Sequence, residues 1–493
     1  MVFNSPAYLV FFPIVVLIYY LIPCRVRYIW LLAASYFFYM QWNAVYGLLL
    51  LYSTAVAYAA GLLLDRIQGS RGRKLCLGTC LLMGFAPLVY FKYTGFILES
   101  LNRLFMIIKP DTGFAVPDIL LPVGISFFTF QATGYVMDVY RKSVPAERNF
   151  FRFALFVSFF PQLVAGPIER TGNLLSQLDC NVRFDFEKAR DGLWLMLWGY
   201  FMKVVIADRI AIFADTVYGS FRTYDGTYLL VAALLFPFQI YCDFAGYSTI
   251  AIGSAKILGI RLMDNFSSPY LSMTVTDYWR RWHISLTSWF RDYVYIPLGG
   301  NRKGKLRTYF NRLIVFILSG LWHGADWTFV MWGALNGLMV VLEDASGSLR
   351  KKLSGLPYLK SSSASVKAVR IFFTFIIISL LYIPFRAETL SDTLAIFSDL
   401  SHFPRLENIN ILFGDGLYEC GLDAKNFHLL ILMTALLLII DMCSMKGIVI
   451  REKIAAQSLW FRSLFTAFAV IFLLIFGIWG GSYDKTSFIY FQF

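Results

Sequence analysis

The chain has 493 residues, of which 58% are hydrophobic, 18% aromatic and only 15% charged, with a mean hydropathy of +0.61. Soluble domains run at roughly 45–50% apolar and about 25% charged, and no polar stretch here is long enough to bury its own core, so composition excludes a soluble enzyme and reads as an all-α polytopic membrane protein. The net charge of +13 points to basic cytoplasmic loops rather than to nucleic acid, because Lys and Arg collect on the cytoplasmic side of membrane proteins.

The first apolar run, about Pro6 to Ile22, has no Lys or Arg before it. A secretory signal carries a positive n-region, so this run reads as a retained first span. Runs of about 17–25 apolar residues suffice to cross roughly 30 Å of hydrocarbon. About ten to twelve are expected, near 6–22, 26–44, 46–64, 75–95, 118–138, 151–166, 190–214, 227–258, 312–342, 368–385, 428–445 and 460–480. The run 227–258 is interrupted by Pro237 and carries Asp243, so it reads as one long helix or two pieces. Residues 268–300 are too charged to span in lipid and suggest an interfacial or re-entrant helix.

Basic clusters fall at Arg66–Lys74, Arg141–Arg152, Arg302–Arg312, Arg350–Arg370 and Lys446–Arg462. Placing all of them inside puts both termini outside. The Ser-rich stretch 361–365 then reads as a flexible cytoplasmic loop and 400–426 as the longest external one. The seven cysteines are scattered without a CxxC pair, and Cys76/Cys80 read as helix packing, so neither a disulfide framework nor a zinc site is expected. There is no internal repeat, which weakens a transporter built from duplicated halves.

Two stretches concentrate the chemistry. Read as one helix, 273–292 puts Asp277, Arg281, Ser285, Ser288 and Asp292 on a polar stripe, and Trp279, His283, Leu286 and Phe290 on an apolar one. His283 is then either a satisfied core histidine or a polar group at the end of a cavity, where a pKa near 6.5 permits proton transfer. In SGLWHGAD, 319–326, a helix starting near Leu313 carries His323 roughly 15 Å in, at about mid-bilayer. Ionisable groups at that depth are functional by default, the alternative being an interhelical histidine.

Ser319 and Asp326 stand four residues before and three after His323, close enough to orient the ring if the helix stays regular through Gly324. Gly320/Gly324 and Gly333/Gly337 allow close helix approach. No HExxH supports a metal site, and no GxSxG supports a serine hydrolase. Gln239, Asp243, Tyr247 and Ser248 recur at helical spacing, as cavity lining or as a packing seam; Gln131, Asp138, Gln162 and Glu169 are weaker cases. His402 and His428 carry no assignment.

PVGISFFTFQ at 122–131, FFPQLVAGPI at 159–168, CDFAGYS at 242–248, NFSSPY at 265–270, DYWRRWHISLTSWFRDYVYIPLGGNR at 277–302 and GLWHGADWTFVMWG at 320–333 span most of the chain, in order. With them the chain resembles the membrane-bound O-acyltransferase superfamily, in its bacterial branch of alginate O-acetylation and teichoic acid D-alanyl transfer proteins. The WRRWHISL and IPLGGNR wording is nearer the alginate type. The resemblance implies one domain over 1–493, with N-terminal helices at 1–110, a catalytic core at 118–345 and C-terminal helices at 366–493, around a central tunnel. It implies His323 as the essential catalytic histidine and His283 as the second active-site residue.

It further implies an acyl group, acetyl before D-alanyl or another short acyl, moved from a cytoplasmic thioester through the tunnel to an exported or surface polysaccharide. The donor would be acetyl-CoA or an acyl carrier protein, with no bound cofactor. A periplasmic or surface acetyltransferase would be the partner, in a bacterial cytoplasmic membrane and its lipid. Tunnel candidates are Gln239, Asp243, Tyr247, Ser319, Trp322, Asp326, Arg280, Arg281 and Arg291. Asp326 departs from the family, where Asn is more usual.

Arg280, Arg281, Lys303 and Lys305 could attract an anionic donor or be ordinary positive-inside charge. Tyr490, in the terminal FIYFQF, is either an acyl relay or part of an aromatic interface belt. A transporter and a non-catalytic scaffold for a polysaccharide synthase are the rivals from other classes.

Overall fold

The computed structural model describes residues 1–108, 113–178, 182–347, 363–401, 411 and 414–479, and all regular structure among them is helical. Six helices are long and apolar enough to cross a membrane: Tyr46–Arg66, Ser70–Ile108, Gly226–Ile257, Ala364–Arg386, Ala424–Met445 and Leu459–Phe476.

That is fewer than the apolar runs in the sequence, for local reasons. Pro6–Leu21 has only 16 residues. The run at 118–138 yields Ile125–Tyr140, because Gly124, at φ +76°, starts the helix late. The run at 151–166 splits into Phe150–Ser158 and Phe160–Leu163 at a non-helical Phe159, two residues before Pro161. The run at 190–214 lies in one continuous helical stretch, Phe186–Gly219, with a wide turn of π type at Phe201–Ala207, and it carries the charged Lys203, Asp208 and Arg209. Gly226–Ile257 likewise stays one helix of 32 residues through Pro237.

The chain forms two compact units. The first comprises residues 1–196 and 248–264. Its aromatic core gathers Tyr8, Phe11, Phe12, Phe38 and Phe160, with Tyr8 and Phe12 stacked at 5.6 Å. The returning segment is fastened to it by a Tyr8–Ser254 hydroxyl pair at 2.7 Å, a Lys256–Asp191 ion pair and the Met263 N–H donating to Glu169.

The second unit comprises residues 197–247 and 265–493 and carries both candidate histidines. At its centre is a helical hairpin, Lys305–His323 and Trp327–Ala345. Gly320 and Gly333 let the two backbones touch: a Cβ on Gly320 would meet the Phe329 carbonyl oxygen at 2.2 Å, and one on Gly333 the Phe316 carbonyl oxygen at 2.3 Å. The small-residue spacing predicted this approach.

A buried ion cluster also lies in this unit. Lys203 sits 2.8 Å from Asp208 and 2.6 Å from Asp243, all three below 10% exposure. Buried charges persist only when paired, and the wide turn at 201–207 supplies the Lys.

Candidate functional site

Residues 273–292 are not one helix. Val275–Arg281 opens on a Thr274 cap, whose hydroxyl accepts from the Asp277 N–H at 3.0 Å, and a second helix runs Ile284–Phe290. Between them Trp282 is extended and His283 is left-handed, at φ +42° and ψ +55°. That conformation costs a side-chain-bearing residue about 1–3 kcal/mol. The break is made by the chain at 265–267: the Ser267 N–H donates to the Arg281 carbonyl at 3.0 Å, and the Ile284 N–H to the Asn265 carbonyl at 2.9 Å.

The polar stripe read from helical spacing therefore dissolves into local pairs. Asp277 binds Arg281 at 3.0 Å, Ser285 donates to the Asn265 side chain at 2.6 Å, Ser288 donates to the Ser285 carbonyl at 2.8 Å, and Asp292 binds Arg291 at 2.8 Å.

His283 is 1% exposed. Its ring meets Phe244 edge-on at 4.6 Å and Trp322 at 5.6 Å. Lying outside the six spans, it is fully desolvated, and burial pushes its imidazole down to about 3 from the ordinary 6.5. It is a neutral ring at any physiological pH.

His323 ends the first hairpin helix and is 4% exposed. That helix starts at Lys305 rather than near Leu313, so the mid-bilayer depth inferred from the later start does not follow. Trp322, Trp332 and Phe385 surround its ring at 4.9, 5.2 and 5.5 Å. The His283 and His323 centroids are 6.1 Å apart, so both rings can reach one group lying between them.

A second layer closes around this pair. Tyr382 packs on Trp282, Trp332 and Phe385 and shares a 2.8 Å hydroxyl contact with Tyr278; Trp279 fills the space between Phe316 and Trp332. Among the described residues, the buried Trp279 indole nitrogen and Gln239 side-chain carbonyl have no hydrogen-bond partner.

The other predicted residues scatter. Asp326 is not beside the His323 ring through a regular helix. The helix stops at His323, Gly324 is extended, and the Asp326 carboxylate caps the next helix by accepting from the Thr328 N–H at 2.8 Å. Asp243 is held in the Lys203 cluster rather than standing alone. Ser319 is buried one turn before His323, Tyr247 is buried, and Trp322 touches both histidines. Arg280 and Arg291 are exposed, as are Lys303 and Lys305, while Arg281 is partly buried against Asp277. His428 meets the Tyr418 hydroxyl at 3.2 Å. Tyr490 and His402 lie outside the described residues.

Sequence reasoning missed Phe244, Trp332 and Phe385 around the rings, Asn265 beneath His283, and Lys203. Only Lys203 had a plain signal, as a cation in the middle of an apolar run.

Two buried imidazoles in an aromatic enclosure now meet the comparisons with known proteins. Residues 141–384, which include both histidines, match the MBOAT, membrane-bound O-acyltransferase family. The chain is 38% identical over 408 residues to the probable alginate O-acetylase AlgI of Azotobacter vinelandii, covering 82% of this chain and 78% of that protein. The chain belongs to the membrane-bound O-acyltransferase family. It is also 34% identical over 433 residues to the peptidoglycan O-acetyltransferase of Helicobacter pylori, covering 81% of this chain and 80% of that one. To the teichoic acid D-alanyltransferase of Streptococcus thermophilus it is 30% identical over 288 residues, or 53% and 68% of the two chains. As a membrane-bound O-acyltransferase the protein is a multi-pass membrane acyltransferase, and the matched segments run through the whole hairpin and the His283 corner.

Proposed function

We propose that the protein takes an acetyl group from a cytoplasmic thioester and moves it across the membrane toward an exported or cell-surface polysaccharide, with His323 as general base for the acceptor hydroxyl. The observation that carries this reading is the pair of enclosed imidazoles, 6.1 Å apart, in a chain similar to polysaccharide and peptidoglycan O-acetylating proteins. A thioester carbonyl is already electrophilic, so the site must supply a base for the incoming hydroxyl and shelter from water. His323 takes the hydroxyl proton as the oxygen bonds to the carbonyl carbon. The C–S bond then breaks, and the imidazolium returns the proton to the departing thiolate. Base catalysis of this kind contributes about 10²–10⁴-fold.

His283, neutral through burial, acts from the other side of the gap, on the donor carbonyl or on the shared proton. The aromatic wall of Trp322, Trp332, Phe385 and Phe244 keeps the acyl group from hydrolysis. The donor is acetyl-CoA or an acyl carrier protein thioester, entering from the side of the basic loops, which we assign to the cytoplasmic face of a bacterial cytoplasmic membrane. A separate periplasmic or surface transferase completes delivery to the polymer. The similarity to a teichoic acid D-alanyltransferase favours D-alanyl as the second reading for the acyl group.

The test is base-labile acetyl ester on exported polysaccharide, in cells with wild type, His323→Ala or no protein, at matched membrane levels. Ester should be lost in both the variant and the deletion. Ester that persists with His323→Ala would remove His323 from the mechanism, and equal ester in all three would leave D-alanyl transfer or transport.

A further inference from the structure

We infer that Asn265 is a positioning residue for acyl transfer, and that with Ser285 it holds the chain in the left-handed corner that aims His283 into the site. The inference rests on the acyltransferase reading of the two histidines.

Residues 275–290 contain neither Gly nor Pro, and their spacing suits a continuous helix. In the structure the helix is cut in two at Trp282 and His283, and His283 takes a positive φ that such a sequence does not favour. The partner that imposes the cut comes from outside the segment. Asn265 uses two atoms: its backbone carbonyl accepts the Ile284 N–H at 2.9 Å, and its side-chain Oδ1 accepts the Ser285 hydroxyl at 2.6 Å. Ser267 closes the other flank by donating its N–H to the Arg281 carbonyl. The residues on both sides of His283 are thus bonded to one short stretch of chain.

Asn265 and Ser285 are 1% and 0% exposed, so water does not compete for their bond. The far end of the first short helix is anchored as well, because the Glu343 carboxylate accepts from the N–H groups of Val275 and Thr276 and from the Thr276 hydroxyl. With both ends fixed, the corner has one place to give. Without the side-chain bond, His283 relaxes toward the ordinary right-handed region and its ring swings off Phe244 and Trp322, widening the 6.1 Å separation from His323. Geometry at a reacting centre is unforgiving: a displacement of about 1 Å can cost roughly a hundredfold in rate.

The experiment compares Asn265→Ala, Ser285→Ala, the double variant and His283→Ala, purified with lipid. Thiol release from acetyl-CoA or an acetylated carrier protein is followed in the presence of polysaccharide and of the periplasmic fraction of the same cells, which supplies the partner transferase. Asn265→Ala leaves the backbone carbonyl in place, and either single change removes the same bond. Each should lower kcat roughly tenfold or more with donor KM within about twofold. The double variant should be no worse than either single, and adding either change to His283→Ala should cost nothing further.

Singles with wild-type kcat, or losses that multiply with that of His283→Ala, overturn the inference. Should Asn265→Ala fail to accumulate, Ser285→Ala reads the same bond. Full activity in His283→Ala would instead overturn the role of His283 itself, and absence of donor-dependent thiol release in the wild type would overturn the acyltransferase chemistry on which both stand.

Discussion

A buried histidine that stays neutral is linked to stability in a definite direction. The His283 imidazole is pushed from 6.5 down to about 3 by desolvation. Between those values the unfolded chain binds a proton that the folded chain refuses, so stability falls as pH drops below about 6.5 and is unaffected above it. At pH 5 the loss is at most about 2 kcal/mol, taking about 1.4 kcal/mol per pH unit. Thermal unfolding in detergent should therefore show wild type losing more stability than His283→Gln between pH 7.5 and pH 5. Parallel losses would mean that the ring is not held neutral. The same residue carries a left-handed backbone, so its conformation and its charge state are both set by neighbours rather than by its own preferences.

Among the elements, the hairpin Lys305–His323/Trp327–Ala345 has little room to adjust. Gly333→Ala drives a methyl into a backbone carbonyl, which cannot rotate away as a side chain can. It should destabilise by about 1–3 kcal/mol and displace His323 enough to depress kcat. Gly78→Ala, where nothing lies within 4 Å of the added carbon, should be silent in both thermal unfolding and turnover. Equal behaviour of the two would deny the hairpin its role in holding the site.

The hairpin contact was legible because small residues four apart are a local signal. The corner at His283 was not, since what breaks the helix is Asn265, well upstream in sequence, and helical periodicity has no term for such a partner. Asp326 misled for a similar reason. An i+3 offset implies a shared face only while the helix continues, and here the Asp caps a new one. Not every apolar run became one of the six long apolar helices, because hydropathy does not register an interruption such as Phe159–Pro161 or the late start at Gly124. The aromatic walls were present in composition, yet which of the rings would meet His323 depended on packing among four separate elements.

Across the molecule, apolar surface faces two different solvents. In their most apolar 18-residue windows, 83% of the residues of Gly226–Ile257 are buried by protein and only 6% of those of Leu459–Phe476, at mean hydropathies of 1.7 and 2.2. The second leaves an apolar face long enough to lie in a bilayer, and the charged pairs of Lys203 belong with the first, where protein surrounds them. Charge at the surface acts at longer range. Lys303 and Lys305 are exposed beside Arg302 and Arg307, a field able to concentrate an anionic donor. Lys303→Glu with Lys305→Glu should raise donor KM several-fold at low salt, with the difference shrinking as ionic strength rises and kcat unchanged. A KM indifferent to both charge and salt would leave these residues a topological role only.

The packing of Trp322 and Trp332 against His323, at 4.9 and 5.2 Å, gives the molecule an optical property as well as a wall. Indole emission is quenched by an adjacent imidazolium, and a positive ring is attracted to an aromatic face. Of twelve tryptophans, these two stand in van der Waals range of the proposed base. A proton arriving on His323, as the proposed mechanism has it, would therefore register in the protein's own fluorescence, without a label.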